Sequence, residues 1–228
     1  MKPIIGIISR AGIESSNTQI EYINEEYRIA IIKNGGIPFL ILPYKQIKYY
    51  QFNNVSVSKE EKEYLKLLID KCDGILFPGG YKWYKYEEYI FKYAYRKNIP
   101  ILGICCGMQM IGIMLENKNT LKKIESNINH HQENKKYVHD INILNDTLLY
   151  KIIKKSKIKV NSRHNEYLKS INNLKVSAYS EDGLIEAIED EEKKFVLGIQ
   201  WHPESMINYD LNQNNIYKYF VNICKKDS

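Results

Sequence analysis

Long hydrophobic runs are missing from this 228-residue chain. The longest apolar stretch, residues 101–115, is interrupted by Gly103, Gly107, Gln109 and Gly112 and falls short of the roughly 18–20 residues that span a bilayer. The N-terminus carries one lysine and an apolar run that stops at Arg10, too little for a secretory signal, so a cytosolic, reducing compartment is expected. Cysteine is scarce: Cys72, Cys105, Cys106 and Cys224 show no C-x-x-C spacing and no companion histidine pattern, which argues against a disulfide framework and a zinc module. The net charge is +6, yet the basic clusters Lys122-Lys123, Lys135-Lys136 and Lys154-Lys155 are only two residues long. Scattered lysines describe a solvated surface, and neither nucleic acid nor membrane is expected as a partner. There is no internal repeat and no linker; with 44% hydrophobic and 26% charged residues, one domain over 1–228 with one sizeable core is expected.

The first half of the chain alternates short apolar runs with segments of helical period, the pattern of a parallel sheet flanked by helices. Residues 3–9 read as a strand. Ile20, Ile23, Tyr27, Ala30 and Ile31 recur at helical spacing until Gly35-Gly36, and residues 37–42 read as the next strand. Ser58 and Glu61 form a capping box that starts a second helix near Lys59. Further strands are expected at 74–77 and 100–104, with helices over 87–97 and 107–115. Beyond Lys118 come shorter strands at 141–144, 174–179, 184–189 and 195–201, then a terminal helix over 215–224. The polar, Asn-rich segment 127–136 reads as a surface loop.

Chemistry concentrates at two places. Ile101-Leu102-Gly103-Ile104-Cys105-Cys106-Gly107-Met108-Gln109 passes from a buried strand into a helix with glycines on both sides of a cysteine. Such an elbow exposes a nucleophile at a helix N-terminus, where free N–H groups and the positive end of the dipole favour a thiolate at Cys105. The bland alternative is two small core cysteines. Almost a hundred residues later, Gly198-Ile199-Gln200-Trp201-His202-Pro203-Glu204 follows a strand. In an extended segment His202 and Glu204 share a face, so the carboxylate can orient the imidazole while its other nitrogen addresses a thiol. Cys105, His202 and Glu204 thereby read as nucleophile, base and orienter.

These segments resemble the G-x-C-x-G-x-Q and G-x-Q-x-H-P-E motifs of class I glutamine amidotransferases and the related γ-glutamyl hydrolases of the peptidase C26 family, which includes γ-glutamyl-γ-aminobutyrate hydrolase-like enzymes. The resemblance implies an α/β fold, with a mostly parallel central sheet between flanking helices in a flavodoxin-like three-layer arrangement. It implies hydrolysis of a γ-glutamyl amide through a thioester on Cys105, with an oxyanion hole made by the backbone N–H groups of Gly80 and Cys106. Asp73-Gly74-Ile75-Leu76-Phe77-Pro78-Gly79-Gly80 supplies that glycine turn, although Gly79-Gly80 also reads as an ordinary turn. Val160-Asn161-Ser162-Arg163-His164 is similar to the family's V-N-S-x-H segment, so Asn161, Ser162 and His164, together with Gly79 and Gln109, are expected at the glutamyl site; Gln109 can equally cap the elbow helix. Asp182-Gly183-Leu184-Ile185-Glu186-Ala187-Ile188-Glu189 resembles a strand typical of the hydrolase branch.

The chain departs from the family where Tyr81-Lys82-Trp83-Tyr84-Lys85-Tyr86 replaces G-D-V-D-P and where Cys106 stands in place of arginine. The aromatic run is either a packed lid or a stacking surface, and Lys82 and Lys85 either attract an anionic leaving group or are solvated. His130 and His131 lack a third ligand at suitable spacing, so no metal and no cofactor are expected. A small γ-glutamyl molecule is the expected partner, and a homodimer is compatible with the reading. Two alternatives stand: a glutaminase subunit passing ammonia to a separate synthetase, and a non-catalytic binding protein on the same scaffold.

Overall fold

A computed structural model describes residues 1–46 and 56–226. In chain order the strands and helices are β1 (Ile4–Ile8), β2 (Arg10–Ile13), β3 (Gln19–Tyr22), α1 (Glu25–Lys33), β4 (Ile37–Ile41), α2 (Lys59–Ile69), β5 (Gly74–Phe77), α3 (Lys85–Arg96), β6 (Ile101–Ile104) and α4 (Cys106–Glu116). There follow β7 (Leu121–Lys123), β8 (His139–Ile143), α5 (Leu148–Ile153), β9 (Lys157–Val160), β10 (Glu166–Leu168), β11 (Lys175–Ser180), β12 (Ile185–Glu189), β13 (Val196–Ile199) and α6 (Leu211–Ile223).

Nine strands form one sheet in the order β4-β1-β5-β6-β13-β12-β11-β8-β9. The run from β4 to β13 is parallel and the rest antiparallel. Period-2 alternation decides which side each residue serves. Ile5 and Ile7 of β1, Leu102 and Ile104 of β6, and Leu197 and Ile199 of β13 pack with Tyr27 and Ala30 of α1 and Phe220 of α6. Ile8, Ile101 and Val196 face the opposite layer, with Leu65 of α2, Ile90 of α3 and Met108 of α4. Both faces of the central strands are thus covered, which is why those strands read as continuous apolar runs rather than alternating ones. Among the described residues no helix is long and apolar enough to cross a membrane.

The capping box at α2 forms as expected: Ser58 Oγ accepts from the Glu61 N–H, and the Glu61 carboxylate accepts from the Ser58 N–H. One expectation is corrected. Ile20 and its neighbours belong not to the first helix but to β3, which pairs with β2 in an antiparallel hairpin, and α1 begins only after Asn24 caps it by accepting from the Glu26 N–H. The periodicity ran through the boundary because Ile20 and Ile23 serve the hairpin and its exit, while the cap and the acidic first turn mark the true helix start. The hairpin brings Arg10 to the carboxyl ends of the parallel strands, where the candidate site lies.

Candidate active site

β6 ends at Ile104 and α4 begins at Cys106, so Cys105 sits at the junction with φ 52° and ψ −105°. A side chain at positive φ costs about 1–3 kcal/mol and persists only where its surroundings impose it. Here the Cys105 N–H is held by the Ile199 carbonyl at 2.7 Å, and its carbonyl accepts from the Gln109 N–H at 3.0 Å as the first turn of α4 closes. Close approach explains a motif glycine: a Cβ on Gly107 would lie 2.3 Å from the Phe77 carbonyl oxygen, so α4 can rest against β5 only with glycine there.

The two adjacent cysteines differ sharply. Burial raises the Cys105 thiol, but the hydrogen bond and charge of His202, aided by His164 and the Cys106 N–H, outweigh it and bring it below the ordinary value. The Cys106 thiol is pushed far up by burial, only partly opposed by the Arg10 guanidinium beside it. Gln200 adds an amide donor 3.6 Å from the Cys105 sulfur, and its own Oε1 accepts from Gln109 at 3.2 Å.

His202 Nδ1 lies 2.7 Å from Glu204 Oε1. Burial would lower the imidazole, yet the Glu204 charge and the Cys105 thiol raise it to about 10. The local backbone is not the extended segment expected from sequence. β13 stops at Ile199, and Pro203–Ser205 forms a 3₁₀ turn whose first residue is the proline that fixes the required φ. Two further devices hold the pair. Asn161 clamps the His202 backbone, its Oδ1 accepting from the N–H and its Nδ2 donating to the carbonyl, both at 2.8 Å. The Tyr27 hydroxyl accepts from the Gly79 N–H at 2.8 Å, and burial together with the nearby Glu204 charge pushes it well above its ordinary value.

Opposite the elbow, the turn of Pro78, Gly79 and Gly80 approaches His202 so closely that a Cβ on Gly79 would lie 2.6 Å from the imidazole Cε1. Arg10 supports this turn from behind. Its guanidinium donates to the carbonyls of Gly79 and Pro78 and pairs with Glu87, whose side chain is fully buried.

These groups border a cleft of about 1210 Å³ lined in part by Tyr81, Lys82, Cys105, Gln109, His164 and His202. Its far wall is the irregular segment around Asn127 and His131, which adds no helix or strand of its own. Several sequence expectations are placed differently by the structure. Asn161 and Ser162 do not reach the cleft: Asn161 is spent on His202, and the fully buried Ser162 hydroxyl donates to the His130 carbonyl at 2.7 Å. Gln109 borders the cleft, but its amide donates to the Glu166 carbonyl and to Gln200. The aromatic run divides: Tyr84 and Tyr86 are core residues stacked on each other, whereas Tyr81 is exposed at the cleft rim. Lys85 pairs with Glu88 at 2.8 Å.

His130 and His131 part company. His131 is exposed, while His130 is buried beside His139, His164 and Glu186. His164, expected at the glutamyl site, does line the cleft, and His130 entered the sequence reading only as a metal ligand short of partners, whereas Arg10, Tyr27, Gln200 and His139 carried no role there. Gln200 lay within a motif already quoted; the others come from segments distant in sequence, with no shared spacing to reveal them.

The profile of the peptidase C26 family matches residues 84–204. A glutamine amidotransferase-like protein of Rickettsia prowazekii is 31% identical, with 94% of each chain covered. The γ-glutamyl-γ-aminobutyrate hydrolase of Escherichia coli K12 is 28% identical over 98% of this chain and 94% of that protein. Among solved structures, the glutaminase domain of Trypanosoma brucei CTPS with bound acivicin superposes with a TM-score of 0.67 at 17% identity, covering 99% of this chain and 95% of that one. That likeness, with others to glutamine amidotransferases, shows the class I glutamine amidotransferase fold.

Proposed function

The chain belongs to the peptidase C26 family, and from that membership we propose that it hydrolyses the amide bond of a γ-glutamyl substrate, with Cys105 as nucleophile, His202 as acid and base, and Glu204 as orienter. The observation that carries the reading is the pairing of a strained, thiolate-favouring cysteine at a helix N-terminus with an imidazole held by a buried carboxylate at 2.7 Å. Kinship with the hydrolase of E. coli directs it toward γ-glutamyl amides.

His202 Nε2 takes the Cys105 proton and the thiolate attacks the γ-carbonyl carbon. The developing oxyanion is received by the N–H of Cys106, at the start of α4, and by that of Gly80, since the Gly79 N–H is held by Tyr27. As the C–N bond breaks, His202 gives its proton to the departing amine and leaves a γ-glutamyl thioester. His202 then takes a proton from water; hydroxide addition and loss of the thiolate release glutamate, and the proton returns to the Cys105–His202 pair. Glu204 Oε1, 2.7 Å from His202 Nδ1, holds the tautomer and orients the ring.

The test is glutamate release from a panel of γ-glutamyl amides, free glutamine included, by wild type and Cys105→Ala in parallel. Release from a γ-glutamyl conjugate that vanishes in Cys105→Ala is the expected result. Release from glutamine alone would favour a glutaminase that serves a synthetase, release surviving the substitution would remove Cys105 from the chemistry, and no release at all would favour a binding role.

A further inference from the structure

Beside the cleft, four buried side chains from four separate segments converge: His130 from the loop before β8, His139 from β8, His164 after β9, and Glu186 from β12. Their inward atoms all lie within 4.8 Å of one another. Glu186 Oε1 is 3.7 Å from His130 Nδ1, 3.7 Å from His139 Nε2 and 3.5 Å from His164 Nε2. Burial is nearly complete, and neither oxygen of Glu186 has a hydrogen-bond partner; nor do His139 Nε2 and His164 Nε2.

The outer nitrogens explain why. His139 Nδ1 is 3.1 Å from the Asp140 carbonyl and His164 Nδ1 is 3.1 Å from the Glu166 carbonyl. Each contact is a hydrogen bond only if that nitrogen carries the proton, which in the neutral imidazole leaves the inward Nε2 a lone pair. His130 Nε2 faces Asp182 at 3.0 Å and is protonated for the same reason, so its Nδ1 is the lone pair. The nearby Ser162 hydroxyl has already given its single proton to the His130 carbonyl. With neutral imidazoles, three lone pairs and a carboxylate point at one another with no donor among them. Buried acceptors in that arrangement require a positive charge between them.

Outer nitrogens fixed by carbonyl and carboxylate acceptors are the outer shell that metal-ligating histidines carry. In a tetrahedral site with metal–ligand bonds of about 2.0–2.1 Å the ligand atoms stand about 3.3 Å apart, a few tenths of an ångström closer than the carboxylate–imidazole separations here. We propose that His130, His139, His164 and Glu186 bind a divalent transition-metal ion of the zinc class, which ties the loop wall of the cleft to β8 and β12. Three imidazoles and one carboxylate are borderline donors that suit zinc, cobalt or nickel rather than magnesium or calcium. His130 and His164 both line the cleft, which gives an ion its route of entry.

The test uses the full chain carrying Cys105→Ala, which removes the accessible thiolate as a rival ligand. After dialysis against EDTA and then metal-free buffer, ZnCl2 is titrated by calorimetry and CoCl2 by visible absorption. One saturating equivalent of zinc is expected, with a cobalt spectrum that shows d–d bands but no thiolate charge-transfer band. Adding Glu186→Gln or His139→Gln should each weaken zinc binding at least ~100-fold, the upper end of what second-shell losses cost and a lower bound for a lost ligand, while His131→Gln should leave it unchanged. Zinc should raise the melting temperature of the parent and not of the Glu186→Gln protein. Absence of saturable zinc or cobalt binding to the folded parent would overturn the proposal and leave protons as the compensating charge. Undiminished binding in folded Glu186→Gln and His139→Gln, or a thiolate band in the cobalt spectrum, would overturn it as well. Should those variants fail to fold, the stoichiometry and cobalt spectrum of the parent still decide.

Discussion

Replacing Arg10 with methionine should separate what the fold needs from what the chemistry needs. The guanidinium does two things at once: it neutralises the buried Glu87 and it holds the Pro78 and Gly79 carbonyls that shape the glycine turn. Arg10→Met leaves Glu87 without a counter-charge in a site of zero exposure, a change of about 3–5 kcal/mol, which is a large part of the usual 5–15 kcal/mol of total stability. Burial already raises the Glu87 carboxyl against the pull of Arg10, so without that partner it rises further. A carboxyl raised in the folded state destabilises above its unfolded value near 4.5, so the deficit should shrink as pH falls toward that value. Adding Glu87→Gln removes the stranded charge while keeping an acceptor for the Tyr84 N–H, which Glu87 holds at 2.9 Å. The double variant should recover at least ~2 kcal/mol of the loss, short of full recovery because the two turn carbonyls stay unpaired at about 1–3 kcal/mol each. Activity should not recover: with the turn unsupported, the N–H aimed at the oxyanion moves, and losing such a donor costs roughly 10²–10³ in kcat. Urea unfolding followed by circular dichroism, and kcat/KM on a chromogenic γ-glutamyl anilide, measure the two parts. Recovery of both rate and stability in the double variant would refute a positioning role for Arg10, and a single-variant loss below ~1 kcal/mol would refute the buried-pair account.

Two further predictions concern the thiols. Limited iodoacetamide treatment at pH 7, mapped by mass spectrometry, should label Cys105 ahead of Cys106: an ordinary thiol of pKa about 8.5 is about 3% thiolate at that pH, Cys105 is lowered and opens on the cleft, and Cys106 is raised far out of range; comparable labelling of both would contradict this. The pH profile of kcat/KM should rise on an acid limb below the ordinary thiol value and fall as His202 loses its proton near pH 10, and Glu204→Gln should move the alkaline limb down. The stability contributed by His202 protonation has the matching sign, complete below the unfolded value of 6.5 and lost as pH rises through about 10.

Much of the fold was legible in the sequence because local signals and tertiary demands agree there. The capping box at Ser58, the buried runs of β5 and β6 and the glycine-flanked elbow each state their structure within a few residues. The β2–β3 hairpin was hidden because Ile20 and Tyr27 happen to fall at helical spacing across a strand, a cap and a helix. At the candidate site, Cys105, His202 and Glu204 each lie in a compact motif, and the structure brings them together. The supporting residues could not. Arg10 meets the glycine turn from 69 residues away, and Asn161 reaches His202 across 41. A motif from the same segment as Asn161 suggested ligand contact, but an amide carries a donor and an acceptor on one plane, and the buried backbone of His202 needed both.

The backbone at position 105 also bears on what this sequence has been shaped to do. With φ 52° and ψ −105°, Cys105 occupies the mirror image of an ordinary extended conformation, a region that glycine enters freely and other residues enter under strain. Glycine would relieve about 1–3 kcal/mol of that strain and lose roughly 0.5–1 kcal/mol to its own chain entropy. What the cysteine gives back to the fold is the packing of its buried side chain in the core. A thiol at a position where the main chain favours glycine is a feature that folding alone does not call for.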